Sequence, residues 1–180
     1  MIVLKKKKEL SQEMIDACER LVSDTFYDQE KCGLVSRFQT MLKDGDEVLL
    51  YDIDGEIQSF LIIGTLNSVN PSDILKEPIQ YHNNLFLVQL AVAKKYQHQG
   101  IGSQLMKYAM DIYQNRGICY LWVTSTNYKA KNCYQKLGFE EIGIFQGEYE
   151  FIKNYKAYLM RLKLKLKNIL HFHQNKLKIS

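Results

Sequence analysis

The chain has 180 residues, of which 46% are hydrophobic and 24% are charged, and its formal net charge at pH 7 is +4. This length and composition predict one globular domain with a sizeable core, and they exclude a second domain and a disordered or low-complexity chain. No apolar run approaches the length that crosses a membrane, and the lysine-rich start runs into an amphipathic segment instead of the apolar stretch of a signal peptide, so we expect a cytoplasmic protein.

The first third of the chain predicts a short strand followed by two helices. The strand covers residues 2–4, and the second helix is expected near residues 31–42. Ser11 is expected to cap the first helix, because a serine hydroxyl can accept a hydrogen bond from an N–H of the first turn. The face of this helix that packs on the core is predicted from apolar residues at helical spacing, which are Leu10, Met14, Ala17 and Leu21.

A β-hairpin follows the helices. Its strands are predicted over residues 47–53 and 56–63, on either side of Asp54-Gly55. This dipeptide favours the positive φ angles of a tight turn. Residues 67–84 contain both prolines and few periodic apolar positions, so we expect a long loop there.

The junction between an apolar strand at 85–93 and the following helix predicts an anion site. Gly100 and Gly102 lie where that helix begins. Glycine has no side chain, so a ligand can approach the backbone N–H groups there closely. The first turn of a helix has unpaired N–H groups and partial positive charge, which suit a diphosphate. The helix itself is predicted from apolar residues at helical spacing, which are Ile101, Leu105, Tyr108, Ala109 and Ile112. A Gly-x-Gly-x-x-Gly nicotinamide dinucleotide motif is excluded, because position 105 is leucine.

A second apolar strand at 118–124 leads into another helix, for which Asn127 is the expected N-cap and Gly138 the stop signal. Two final strands are predicted at 140–145 and 155–164. Strands at 85–93 and 118–123 lack a polar face, so both faces of the sheet should be covered. The expected class is therefore α/β, with helices flanking a central mixed sheet.

Two motifs in the second half occur in a fixed order, Gln97-x-x-Gly100-x-Gly102 and Asn127-x-x-Ala130-x-x-x-Tyr134-x-x-x-Gly138-Phe139. Over about residues 85–146 they resemble the GCN5-related N-acetyltransferase (GNAT) superfamily. The resemblance implies the acyl-CoA N-acyltransferase fold, with a mixed, mostly antiparallel sheet, over residues 1–166, followed by a basic tail at 167–180. It implies an enzyme that uses acetyl-coenzyme A (acetyl-CoA) to acetylate a primary amine of a small molecule, peptide or protein by direct attack.

The resemblance also implies residue roles. The glycine loop would cradle the CoA pyrophosphate and the preceding strand would pair with the pantetheine arm, while Tyr134 would protonate the leaving sulfur. Gln97 stands where the family often has arginine, which would leave the pyrophosphate more dependent on the backbone and on Lys94, Lys95 and Lys107. The expected cofactor contacts are Leu90, Ala91, Val92, Gln97, His98, Gln99, Gly100, Ile101, Gly102, Ser103, Asn127 and Tyr134.

The general base and the acceptor are left open. Residues 84–87 contain no carboxylate where some family members place one, so a water chain, His82, Glu141 or Glu148 could serve. Gln89 lies mid-strand and is expected to pair with backbone or water. A non-catalytic acyl-CoA-binding module of the same fold is the alternative function.

No metal is expected, because the four cysteines (Cys18, Cys32, Cys119 and Cys133) lie far apart without metal-ligand spacing and are predicted to be reduced thiols. Every acidic residue lies at or before Glu150, which leaves a basic C-terminal end. Such an end can neutralise phosphates, but no aromatic-spaced binding surface accompanies it, so nucleic acid is not an expected partner. A membrane partner is not expected either, and a homodimer is left open.

Overall fold

The computed structural model describes residues 1–30, 37–64, 84–149 and 152–164. Most of the sequence-predicted loop at 67–84 and the start of the second predicted helix lie outside these ranges, as do the whole predicted basic tail at 167–180 and the domain boundary at 166. In chain order the elements are β1 (Ile2–Lys6), α1 (Gln12–Glu30), α2 (Phe38–Met41), β2 (Glu47–Ile53), β3 (Glu56–Gly64), β4 (Leu85–Val92), α3 (Ile101–Ile112), β5 (Ile118–Thr124), α4 (Tyr128–Lys136), β6 (Glu140–Tyr149) and β7 (Ile152–Lys163).

The strands form one seven-stranded sheet in the order β1-β2-β3-β4-β5-β7-β6. The β4–β5 pair is parallel, and the other neighbours are antiparallel. The predicted mixed, mostly antiparallel sheet is therefore confirmed. The β4–β5 pairing covers Leu85–Leu87 against Cys119–Leu121 and stops there, although β4 continues to Val92 and β5 to Thr124.

Helices cover both faces of the sheet, as the two apolar strands predicted. One core lies under α3 and α4 and includes Leu49, Leu61, Leu87, Leu105 and Leu121. The other lies under α1 and α2 and includes Cys18, Leu21, Phe38, Phe60 and Ile62. These apolar side chains leave water on both sides of the sheet, and this burial supplies the main driving force for the fold.

Local signals in the sequence placed several element boundaries correctly. The Met14 N–H donates to the Ser11 hydroxyl at 3.3 Å, which confirms the cap of α1. The hairpin turn has φ of 53° at Asp54 and 83° at Gly55. Gly138 follows α4 with φ of 94°, the left-handed conformation that ends many helices.

The predicted apolar face of α3 was partly wrong. Tyr108 is 42% exposed and Ile112 is 39% exposed, whereas Met106 is only 1% exposed. The buried stripe is rotated toward Gly102, because that position has no side chain and α3 approaches β4 closely there: a Cβ at Gly102 would lie 3.4 Å from Leu90 Cδ2. The rotation moves Tyr108 and Ile112 to the edge of the interface.

We expect Gly64→Ala to lower the free energy of unfolding by about 1–3 kcal/mol, because the added methyl overpacks a filled core site. The new Cβ would overlap the Asp46 carboxylate, with Asp46 Cγ at 2.8 Å. That carboxylate is buried and accepts the Lys43 N–H at 2.8 Å, so it cannot move freely. Urea denaturation measures the change. Gly102→Ala is the matched control: its Cβ makes ordinary contacts in a helix, and an equal loss in both variants would contradict the steric explanation.

Candidate active site

The separation of β4 from β5 opens a gap at the C-terminal ends of these strands. A cavity of about 160 Å³ lies in the gap. Its walls come from β4, β5, α3, α4 and α2, and the residues that matter below are Met41, Gln89, Leu90, Trp122, Asn127 and Tyr134. Cavities of this kind, where paired strands part, expose backbone groups that a ligand can pair with.

The backbone of β4 presents N–H groups to this gap. The Ala93 N–H donates to the Gln58 carbonyl at 2.8 Å, so the alternation of an antiparallel pair turns Ala91 toward β3 and turns Leu90 and Val92 away from it. The Val92 carbonyl accordingly accepts from Thr25 Oγ1 at 3.3 Å. The N–H groups of Leu90 and Val92 therefore face the gap, whereas the structure places Ala91, a predicted cofactor contact, in the core with its carbonyl accepting from Ser59 Oγ at 2.7 Å.

The loop before α3 has the geometry expected of an anion site. Gly100 is the N-cap with φ of 82°, and the first hydrogen bond of the helix joins the Gln104 N–H to the Gly100 carbonyl at 2.9 Å. The N–H groups of Ile101, Gly102 and Ser103 thus come before the first hydrogen bond within the helix and do not take part in the hydrogen bonds of α3. Within the described part of the chain, no atom lies within 4 Å of where a Cβ of Gly100 would be, so this part leaves the space above the loop open.

The two glycines of this loop have different roles. Gly100 supplies a left-handed conformation beside open space. A side chain at Gly102 would instead meet Leu90 Cδ2 at 3.4 Å and Val92 Cγ2 at 3.5 Å, not the open space. The Cα of Gly102 therefore faces β4, and its backbone N–H is the part that remains available to a ligand.

The polar side chains of the loop are used within the protein or face solvent. Gln97 Nε2 donates to the Val92 carbonyl at 3.0 Å, which braces the loop against the end of β4. Gln99 Nε2 donates to the Lys95 carbonyl at 2.9 Å. His98 is exposed and has φ of 62°. Gln97 accordingly acts here as a brace, and the N–H groups at the start of α3 are the candidate anion ligands of the loop.

Helix α4 brings the second motif to the cavity. Asn127 Oδ1 accepts the Ala130 N–H at 3.1 Å, which confirms the predicted cap. Asn127 and Tyr134 both line the cavity, and the Tyr134 ring packs against Phe139 with centroids 6.1 Å apart. Burial, together with the nearby Cys133 thiol, raises the pKa of Tyr134 to about 12. The phenol is therefore protonated at neutral pH and can donate a proton.

The cavity also has a wall that the motifs did not predict. The register between β3 and β4 shifts at Ile62–Ile63, which leaves Val88 as an extra residue and sets Gln89 on the face of Ile62. Gln89 is 8% exposed. Trp122 lines the same space, and the described residues provide its buried Nε1 no hydrogen-bond acceptor. Both positions follow from how β4 and β5 part, for which the sequence carries no local signal.

Met41 reaches the cavity from α2, a helix of one turn that could not hold its place by its own hydrogen bonds. The Glu19 carboxylate of α1 accepts the Phe38 N–H at 3.2 Å and the Gln39 N–H at 2.9 Å. A negative charge at these N–H groups stabilises the helix start. Glu19 thereby fixes the wall that Met41 forms.

Glu141 is the one candidate general base whose side chain lies among the described residues, and it does not line the cavity. Glu141 Oε2 lies 2.6 Å from Lys131 Nζ, so this carboxylate is already in an ion pair. His82 and the side chain of Glu148 lie outside the described part of the structure.

Within the described residues, no group of three or more His, Cys, Asp or Glu side chains could hold a metal ion, and Cys18, Cys119 and Cys133 are free thiols. None of the described helices is long and apolar enough to span a bilayer.

The acetyltransferase (GNAT) family matches residues 13–139, which is more than half of the chain and contains the glycine loop and Tyr134. The chain belongs to this family, as its two motifs predicted. Members of this family use acetyl-CoA as a cosubstrate.

Relatives and solved structures agree with this assignment. The chain is 37% identical over 65 residues to the [ribosomal protein bS18]-alanine N-acetyltransferase of Escherichia coli, covering 35% of this chain and 44% of that relative. It is 32% identical over 72 residues to streptothricin acetyltransferase of Streptomyces lavendulae, covering 39% and 38%. The chain thus spans less than half the length of these relatives.

The fold is similar to that of the ribosomal-protein-S18-alanine N-acetyltransferase crystal structure from Escherichia coli, with a TM-score of 0.65 and 18% identity over 94% of this chain and 97% of that one. An N-acetyltransferase from Staphylococcus aureus Mu50 gives a TM-score of 0.65 with 15% identity over 92% and 99%. At these identities the structural likeness establishes the fold alone.

Proposed function

We propose that this chain is an N-acetyltransferase that moves the acetyl group of acetyl-CoA to a primary amine by direct attack. One observation carries the proposal: a protonated tyrosine, Tyr134, lines the same cavity as the strand whose Leu90 and Val92 N–H groups face the gap. An acyl transfer needs a donor for the developing oxyanion and an acid for the leaving group, and this cavity offers both.

The described residues fit acetyl-CoA from one end of the gap to the other. The N–H groups at Ile101, Gly102 and Ser103 would bind the pyrophosphate, beside the open space at Gly100. Val92 would pair with the pantetheine arm as an added strand does, which leaves the Leu90 N–H for the thioester carbonyl. His98, Gln99 and Asn127 would lie along this path, with Asn127 contributing its side-chain NH₂ while its oxygen caps α4.

The chemistry then follows from the residues at the thioester. An amine nitrogen attacks the acetyl carbon, and a β4 N–H donates to the carbonyl oxygen as negative charge develops there. The carbon–sulfur bond breaks, and Tyr134 gives its proton to the departing sulfur. The proton of the amine leaves through water, since Glu141, the one candidate base among the described side chains, is held in an ion pair with Lys131. The phenolate regains a proton from solvent before the next turnover.

The acceptor is a primary amine of a peptide, protein or small molecule. Two relatives are named for an alanine of a ribosomal protein and for streptothricin, so a peptide amine and an antibiotic amine are the first acceptors to test. The alternative function is an acyl-CoA-binding module without catalysis. The observation on its side is that the Glu141 carboxylate, a candidate general base, is engaged in an ion pair with Lys131.

We expect amine-dependent release of CoA thiol from acetyl-CoA when the chain is screened against peptides with N-terminal alanine, streptothricin-like antibiotics, aminoglycosides and polyamines. Binding is followed separately by intrinsic fluorescence, because Trp122 is the single tryptophan and lines the cavity. Acetyl-CoA binding without thiol release for any amine would favour the binding module. Absence of binding would contradict the placement of the cofactor.

A further inference from the structure

We propose that Lys131 and Glu141 are positioning residues for Tyr134, and that Glu141 is an anchor and not the general base. Lys131 lies on α4 one helical turn before Tyr134, and Glu141 lies on β6. This inference rests on the proposed function, because it assigns the ion pair to the placement of the acid of that reaction.

Helix α4 needs such an anchor because its packing is shallow. None of its residues is fully buried, and its apolar contacts with the core come from the partly buried side chains of Ala130 and Tyr134 and from Leu137, which directly follows the helix. The Asn127 cap ties the start of the helix to the end of β5, where the Asn127 N–H donates to the Thr124 carbonyl at 3.0 Å. The cap fixes the start of the helix. The orientation of the rest of α4 against the sheet depends on other contacts.

Lys131 supplies contacts to two strands at that next turn. Its Nζ lies 2.6 Å from Glu141 Oε2 on β6 and 3.4 Å from the centroid of the Tyr158 ring on β7. The side chains of Lys131 and Glu141 are 21% and 32% exposed, so the pair is partly shielded from water and salt. A cation that is held at once by a carboxylate and a ring face has one preferred position.

The effect on Tyr134 follows from helix geometry. Residues three apart share one side of a helix, so fixing Lys131 fixes the direction in which the Tyr134 side chain leaves α4. Catalytic groups lose much of their effect when displaced by about 1 Å. Loss of the ion pair should therefore lower kcat, while acetyl-CoA binding should change little, because it depends on α3, β4 and the Asn127 cap, which lies one turn before Lys131.

The test compares Lys131→Met, Glu141→Gln and the double variant, with Lys136→Met as the matched control on an exposed part of α4. We expect each single variant to lower kcat by about 5- to 30-fold, the double variant to lose no more than the worse single one, and Lys131→Arg to recover activity to within about threefold. If Glu141 were the base, Lys131→Met would keep its kcat while Glu141→Gln lost most of it, and the proposal would be overturned.

A second measurement does not depend on turnover. The chain labelled with 3-fluorotyrosine gives ¹⁹F resonances, of which the one lost in Tyr134→Phe belongs to Tyr134. We expect Lys131→Met to shift or broaden that resonance and Lys136→Met to leave it unchanged. An unchanged Tyr134 resonance in a folded Lys131→Met protein overturns the proposal, even if no amine acceptor is found. Should Lys131→Met not fold, Glu141→Gln and Lys131→Arg carry the same comparison.

Discussion

Tyr134→Phe should lower kcat for the acetylation of an amine by roughly 10- to 10³-fold. The substitution keeps the ring that packs against Phe139 and removes the proton donor. Acid catalysis is commonly worth about 10²- to 10⁴-fold, and the expected loss is smaller because a thiolate is already a fair leaving group. Steady-state kinetics with an identified amine measure kcat, and calorimetry with acetyl-CoA measures affinity, which should change little.

Tyr128→Phe is the control for this experiment, because Tyr128 lies on the same helix and is 63% exposed. It should keep full activity. The raised pKa of Tyr134, about 12, adds a further expectation: the phenol stays protonated at neutral pH, so the loss in Tyr134→Phe should be nearly constant on either side of neutrality. Full turnover by Tyr134→Phe would assign the tyrosine to packing and leave the acid unidentified.

Gly100→Ala should weaken acetyl-CoA binding by about tenfold or more, which corresponds to roughly 1.4 kcal/mol. Alanine is strained at φ of 82°, so the loop would relax into another conformation. This change would turn the N–H groups of the first turn of α3 in a different direction. The added methyl meets no atom of the described residues within 4 Å, so the effect should come from the backbone and from the ligand, not from a clash in the core. Calorimetry on the folded variant measures it.

Gly45→Ala is the matched control for this backbone effect. Gly45 has φ of 90° and also has no atom within 4 Å of a Cβ, but it precedes β2 and lies outside the cavity. Both variants should lose a similar amount of stability, and only Gly100→Ala should lose affinity. Equal affinities for acetyl-CoA in the two variants would place the pyrophosphate away from the α3 loop.

The sequence by itself determined the elements and the family. The spacing of apolar residues placed the strands of the hairpin, β4, β5, α3 and α4 to within a few residues. An element that buries one face repeats its apolar residues at the period of a strand or a helix, and this repeat is visible within a single segment of the sequence. Ser11, Asp54-Gly55, Asn127 and Gly138 marked turns and helix ends through their own backbone and side-chain chemistry. The two motifs identified the family because each is a short segment on one element.

The tertiary structure alone decided how these segments form a site. The gap exists because β4 and β5 part after Leu87 and Leu121, and its far wall contains Trp122 and the bulge beside Gln89. These features depend on pairing between strands far apart in the chain, which no local period reports. The same limit applies to individual residues: a side chain at Gly102 would point toward Leu90, and the Glu141 carboxylate is in an ion pair with Lys131. A residue type shows which chemistry a side chain can perform, but its partners in space decide whether it does so.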